Sequence, residues 1–389
     1  MAENTAVHKD IKEPLLRIEK NAGMSKWKAM GIRGIALVLA LLVCGIFINA
    51  VGGLSLGEAF RQMWEGTFGV IGNARSIEIR CWNTAIFGAK LLCIAVALTP
   101  AFRMRFWNIG AEGQVLVGAL ATAIVMHDFS DSLRGPALYI VMMVVCVLAG
   151  SLWGFIPAYF KAKFGTNETL FTLMMNYVAM KMVDCFYNLW KGKKSSMEAI
   201  NMDTHLGYLP DVLNHGYTIN IIVFVLLAVL MFFYLKKTKH GFEIAVVGES
   251  QNTARYAGIN VKKVIIRTMI LSGAICGICG GLTVAGQSHS ISSETTAGGY
   301  GFTAIIVAWL AQFNTLAMIA ISILIMFLEM GTGQLGNAYP AFATGAGDVL
   351  IGLVLFFIIG CEFFVRYRLI FRGAAKRAEA KAAKGGEPA

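Results

Sequence analysis

The 389 residues are 57% hydrophobic and 15% charged, with a mean hydropathy of +0.63, which is too apolar for an ordinary soluble surface and far from a disordered composition. Seven prolines and eight scattered cysteines exclude a collagen-like repeat and a secreted disulfide scaffold. The net charge of +11 raises nucleic acid as a partner, but the basic residues sit between apolar runs as membrane topology requires, so no nucleic-acid role is expected. Unbroken apolar runs such as 221–234 and 350–360 favour helices over the alternating strands of a barrel.

The chain opens with a tail, 1–33, expected on the cytoplasmic side. In it Ile11, Leu15, Leu16 and Ile18 alternate with Lys12, Arg17 and Lys20, compatible with a short amphipathic helix on the inner leaflet or with a frayed end. No cleavable signal sequence is evident, and the first apolar run reads as an uncleaved anchor. Ten spans are expected, at 34–53, 83–102, 109–126, 136–159, 168–187, 217–234, 264–285, 299–312, 315–331 and 346–364. With the N-terminus inside, 24 of the 34 Lys and Arg residues fall on cytoplasmic segments, seven on outer loops and three (Lys90, Lys181, Arg267) within spans. The expected fold is therefore an all-α membrane protein with about ten transmembrane helices and both termini cytoplasmic. Its transmembrane domain is 34–365, with a cytoplasmic loop at 235–263 and a solvated C-terminal tail, 366–389, helical at first and then fading into disorder.

Two of these spans are short. The apolar run 115–126 and the segment 299–312 fall below the roughly 20 residues of a full crossing, and each follows a polar, glycine-containing stretch, 108–114 and 292–301. If spans 2–5 and 7–10 form two inverted halves, the short spans occupy equivalent places and run oppositely, the arrangement in which interrupted helices line a solute path near the midplane. Gly273, Gly277 and Gly281 repeat every four residues in span 7 and expose a bare helix face for close packing. Lys181 and Asp184, three apart in span 5, are placed to pair; Lys90 either snorkels or faces an aqueous cavity; Glu329, Asp348 and Glu362 lie near span ends.

No enzyme constellation is present. There is no GxxxxGK[ST] loop, so ATP is not bound in that way; the GxGxxG string at Gly331, Gly333 and Gly336 lacks a preceding strand and reads as a glycine-rich turn. Cys276 and Cys279 form a CxxC inside an apolar span, where packing is the expected role, and the six histidines show no metal-ligand spacing. In the long loop 236–263, Gln251–Tyr256 is expected to form a short helix ended at Gly258, a docking site for a soluble partner held at the membrane face.

The string 106–114, FWNIGAEGQ, resembles the F-x-NIGxEGQ signature of permease subunits of ABC importers for nucleosides and simple sugars, within the branched-chain-permease-like superfamily. Residues 167–177 are similar to the family's NE...TLMLNY segment. Gly248 through Ile259, followed by Ser272-Gly273-Ala274, resemble its cytoplasmic coupling segment and the helix after it. The likeness runs over roughly 34–365. Two departures are that 245–248, AVVG, lacks the Arg that usually opens the coupling segment, and that Lys90 stands in a span that is usually apolar.

The resemblance implies residence in the bacterial inner membrane as a multi-pass subunit with no cofactor of its own, ATP being used by partner subunits. The implied partners are ABC ATP-binding subunits, an external solute-binding lipoprotein, a second permease (identical or related) and membrane lipid. The ATPase would dock on Gly248, Gln251, Asn252, Ala254, Arg255, Tyr256 and Gly258. Candidate pathway residues are Asn108, Glu112, Gln114, Asn176, Tyr177, Tyr300 and Phe302; apart from Glu112, their uncharged polar and aromatic groups suit a neutral ring-bearing solute. Nucleosides are the leading substrate class, with pentoses or a flavin-like molecule as alternatives. An ion-driven secondary transporter would need buried carboxylates forming a relay, and a membrane enzyme would need a nucleophile or metal cluster; neither pattern is evident.

Overall fold

A computed structural model of the chain describes residues 16–20, 25–133, 135–213, 215–342 and 346–371. All ten expected segments are helical. They correspond to α1 (Lys26–Gly52), α3 (Ala74–Arg103), α4 (Ala111–Asp128), α5 (Pro136–Phe164), α6 (Glu168–Lys191), α7 (Thr218–Lys237), α10 (Val261–Thr283), α11 (Tyr300–Leu310), α12 (Thr315–Ala338) and α13 (Ala346–Arg366). Three further helices are α2 (Leu56–Phe68), α8 (Lys239–Glu249) and α9 (Gln251–Tyr256). Among the described residues six helices are long and apolar enough to cross a membrane: α1, α3, α5, α7, α12, and α10 continued to Ser288. The chain is an all-α membrane protein.

The helices divide into two compact units, one made of 1–62 with 335–389 and one of 63–334. In the first, Ala36, Ala40, Cys44 and Ile48 form a buried stripe at four-residue spacing on α1, and the Arg33 guanidinium pairs with Glu362 at 2.6 Å near the far end of α13. Strand β1 (Leu16–Lys20) pairs antiparallel with β2 (Tyr367–Phe371), Lys20 opposite Tyr367. Over Leu16–Lys20 this replaces both expectations for the tail, an amphipathic helix or a frayed end, with a paired strand. The alternation of Leu16 and Ile18 with Arg17 and Glu19 has strand period, and β2 supplies the backbone partners. Ile11, Lys12, Leu15 and the expected helical tail beyond Phe371 lie outside the described residues.

In the second unit the bare face of α10 is in contact as expected. A Cβ on Gly273 would strike the carbonyl oxygen of Gly150, and one on Gly277 that of Cys146, both on α5. On α4, a Cβ on Gly118 would strike the Gly277 backbone, and one on Gly280 would strike the Val115 carbonyl oxygen. Three helices thus cross at backbone contact, and α3 and α10 are buried for most of their length. The opposite face of α5 carries Ile140, Val144, Leu148 and Leu152, exposed at four-residue spacing, as a membrane-facing surface requires.

The glycine string at 331–336 is not a turn. Helix α12 continues through it to Ala338, and Gly331 makes room for Met63 of α2, where a Cβ would come within 2.7 Å of the Met63 Cβ. The glycines serve a close helix crossing, so the helix pays only their modest propensity cost.

Candidate functional site

The two short spans meet at their N-termini. Helix α4 has 18 residues and α11 has 11, about 27 Å and 16 Å of helix against a hydrocarbon core of about 30 Å. Glu112, in the first turn of α4 and 1% exposed, reaches across with both oxygens: Oε1 accepts from the Gly299 N–H and Oε2 from the Gly301 N–H, each at 2.7 Å. Those amides belong to the first turn of α11, which has no intrahelical acceptors for them. One carboxylate therefore lies at the positive ends of two helix dipoles, which offset part of the cost of burying it. Gly301 is required by distance, since a Cβ there would collide with the Glu112 backbone nitrogen, and Gly298 and Gly299 turn the chain through consecutive left-handed conformations (φ 50° and 80°).

From the joint α11 returns toward the end of α3. The Arg103 Nη2 donates to the Phe313 carbonyl at 2.7 Å, and Trp107 stacks on Trp309 at 4.8 Å. The stretch before α4 thus runs beside α11.

The NIGxEGQ stretch is held by α6. Asn176 Oδ1 accepts from the Gly113 N–H and its Nδ2 donates to the Ile109 carbonyl, both at 2.9 Å. Thr172 Oγ1 accepts from the Ile109 N–H at 3.2 Å. Asn108 Oδ1 accepts from the Gly110 N–H at 2.9 Å, and its amide donates to Ser272 Oγ of α10 at 3.4 Å. Each side chain satisfies backbone groups that an interrupted helix leaves open.

Lys90 neither snorkels nor faces an open cavity. It is 2% exposed on α3, donates to the Thr296 carbonyl at 2.7 Å, and lies over the Tyr300 ring at 4.2 Å, with Phe87 against the same ring at 4.9 Å. The segment 296–301 is consequently held from two sides, its carbonyl by an ammonium and its amides by a carboxylate. This opposed pair acting through backbone is the feature sequence reasoning missed; the signal available was a lysine in an otherwise apolar span. Lys181 and Asp184 pair at 3.0 Å as expected, and Asp184 also accepts from Ser293 Oγ at 2.6 Å, tying α6 to the turn before α11.

The seven candidate pathway residues separate. Asn108, Glu112 and Asn176 are buried together in the joint. Gln114 is buried two residues further along α4, its Oε1 without a hydrogen-bond partner among the described residues. Tyr300 stands over Lys90, while Tyr177 and Phe302 are exposed.

The expected coupling helix is α9. Ser250 Oγ caps it by accepting from the Thr253 N–H at 3.2 Å, and Gly258 ends it at φ 76°. Before it, α8 was not foreseen. Its Ile244 and Val247 are buried, and Gly248 packs where a Cβ would strike the Arg103 carbonyl oxygen at the end of α3. His240 anchors its first turn, Nδ1 at 2.7 Å from Tyr234 Oη and Nε2 at 3.3 Å from Thr268 Oγ1; burial holds this imidazole below its ordinary pKa. Of the expected docking residues, Gly248 and Ala254 are buried against the protein. Gln251, Asn252, Arg255, Tyr256 and Gly258 face outward, Tyr256 at 94% exposure.

Residues 81–359 match the family described as branched-chain amino acid transport system / permease component. The chain is 32% identical to the guanosine ABC transporter permease protein of Bacillus subtilis (strain 168) over 83% of its own length and 91% of that protein's. It is 27% identical to the nucleoside ABC transporter permease protein of Lactococcus lactis subsp. cremoris, covering 91% of this chain and 98% of the relative. It is 26% identical to the glucose ABC transporter permease protein of Haloferax volcanii, covering 91% and 93%. No solved structure matches the chain. The family match spans most of the chain, including the Glu112 joint and the α8–α9 pair, and the chain belongs to the branched-chain amino acid transport system / permease component family.

Proposed function

We propose that this chain is the membrane-spanning permease subunit of an ATP-driven importer that moves nucleosides inward. The observation that carries the reading is the meeting of two opposed half-helices at Glu112, where broken helices of inverted repeats form a solute path in transporters. The nucleoside class follows the guanosine and nucleoside relatives, and a simple sugar is the second reading because the glucose permease aligns over a similar length.

In this reading all ten segments lie in the membrane, with spans 2–5 and 7–10 as inverted halves and both termini cytoplasmic. The strand pair joining the chain ends is consistent with that topology. Hydrolysis takes place on separate ATP-binding subunits seated on Gln251, Asn252, Arg255 and Tyr256, beside a depression of about 430 Å³ lined by Arg255, Ile259 and Lys262. Because α8 packs on the end of α3 and α3 carries Lys90, a push on α9 is transmitted toward the 296–301 joint. A second permease chain and an external solute-binding protein complete the assembly.

The test is uptake of labelled guanosine and of glucose into vesicles containing this chain with its ATPase and binding protein, with and without ATP. Arg255→Glu is expected to cut ATP-dependent guanosine uptake at least tenfold while the chain stays at wild-type abundance, because it places repulsion at an exposed interface without touching the core. Uptake that persists without ATP and follows an ion gradient would overturn the reading.

A further inference from the structure

In the unit formed by the two ends of the chain, α1 and α13 leave between them a groove of about 1120 Å³, larger than the roughly 300–1,000 Å³ of ordinary small-solute pockets. Its polarity changes along its length. At one end, where α1 begins and α13 passes into β2, the lining is Ser25, Lys28, Tyr367 and Arg368, two of them cations. Away from it run Ile32, Ile35 and Leu39 on α1 and Phe364, Phe357 and Phe356 on α13. From Lys28 to Leu39 a helix rises about 16 Å, the hydrocarbon depth of one leaflet. Ile35, Leu39, Phe356 and Phe364 are exposed. The neighbouring Arg33 is held by Glu362, and Glu19 stands opposite Arg368 in the strand pair. Helix α1 lies outside the residues matched by the family.

We infer that this groove is a binding site for an anionic glycerophospholipid of the surrounding membrane. Its phosphate sits between Lys28 and Arg368, and an acyl chain lies along Ile32, Ile35 and Leu39 against Phe356 and Phe364. The charge of the mouth selects an anionic headgroup over a zwitterionic one, each basic residue near the membrane surface favouring anionic lipid. Depth and apolarity select a chain of leaflet length, which a free phosphate lacks. The inference rests on the chain being a membrane protein and not on what it transports.

Purified full-length protein, stripped of lipid in detergent, is titrated with phosphatidylglycerol or phosphatidylcholine, and bound lipid is counted by native mass spectrometry. Wild type is expected to retain about one phosphatidylglycerol per chain in preference to phosphatidylcholine. Lys28→Gln with Arg368→Gln is expected to weaken phosphatidylglycerol binding about thirtyfold and leave phosphatidylcholine binding unchanged. Gly360→Trp, at a lining position with open space around it, fills the apolar stretch and weakens both lipids, with the thermal unfolding midpoint confirming that each variant is folded. Equal binding of the two lipids by wild type, or unchanged affinity in the double variant, would overturn the site. So would Ile35→Cys forming a disulfide-linked dimer that excludes lipid, which would place a second copy of the chain in the groove.

Discussion

Glu112→Ala is expected to lower ATP-dependent uptake about a hundredfold at equal chain abundance. The substitution removes two charge-assisted hydrogen bonds and leaves the half-buried Gly299 amide and the buried Gly301 amide without acceptors, a loss of roughly 3–6 kcal/mol from the joint, of which 3 is enough to depopulate it about a hundredfold. The helices around the joint retain their own packing, so the chain is expected to accumulate and elute as a single species. Glu112→Gln keeps one acceptor but turns an amide donor toward a backbone N–H, so its uptake falls between the two. Removing the carboxylate alone also leaves the Lys90 ammonium buried beside a joint that no longer opposes it, so Lys90→Met combined with Glu112→Ala is expected to be less impaired than the product of the single effects. Wild-type uptake by Glu112→Ala would show that the half-helices do not need their tie.

Gly277→Leu is expected to prevent accumulation of folded protein. The neighbours that a side chain would meet are the Cys146 carbonyl and the Gly150 Cα, both backbone atoms of α5; neither can rotate aside as a flexible side chain does. Overpacking in a core costs about 1–3 kcal/mol when side chains absorb it, and a clash with a helix backbone lies at or above that range. Gly352→Leu on α13 is the control: no atom lies within 4 Å of a Cβ there, and its midpoint is expected to shift by no more than about 0.5 kcal/mol equivalent. Fluorescence-detected size exclusion after heating reads both. Normal accumulation of Gly277→Leu would mean that the three helices do not cross at backbone contact.

Periodicity and punctuation along the chain carry the local elements. Ten apolar runs became ten helices because burial of apolar surface dictates them locally. The four-residue spacing of Gly273 and Gly277 placed a close crossing on one face of α10, and Ser250 and Gly258 bounded α9 by capping and left-handed geometry. The family signature located the stretch that carries Asn108 and Glu112. What those side chains hold depends on packing between distant segments. Glu112 finds its partners 187 and 189 residues away and Lys90 finds a carbonyl 206 residues away. All three partners are backbone groups, which every residue possesses and no sequence pattern marks. The strand at Leu16–Lys20 likewise needed the far end of the chain, and the glycines of α12 read as a turn until Met63 of α2 stood against them. A local rule fixes an element when its stabilising contacts lie within a few turns; these joints are stabilised by groups that meet only after the helices have packed.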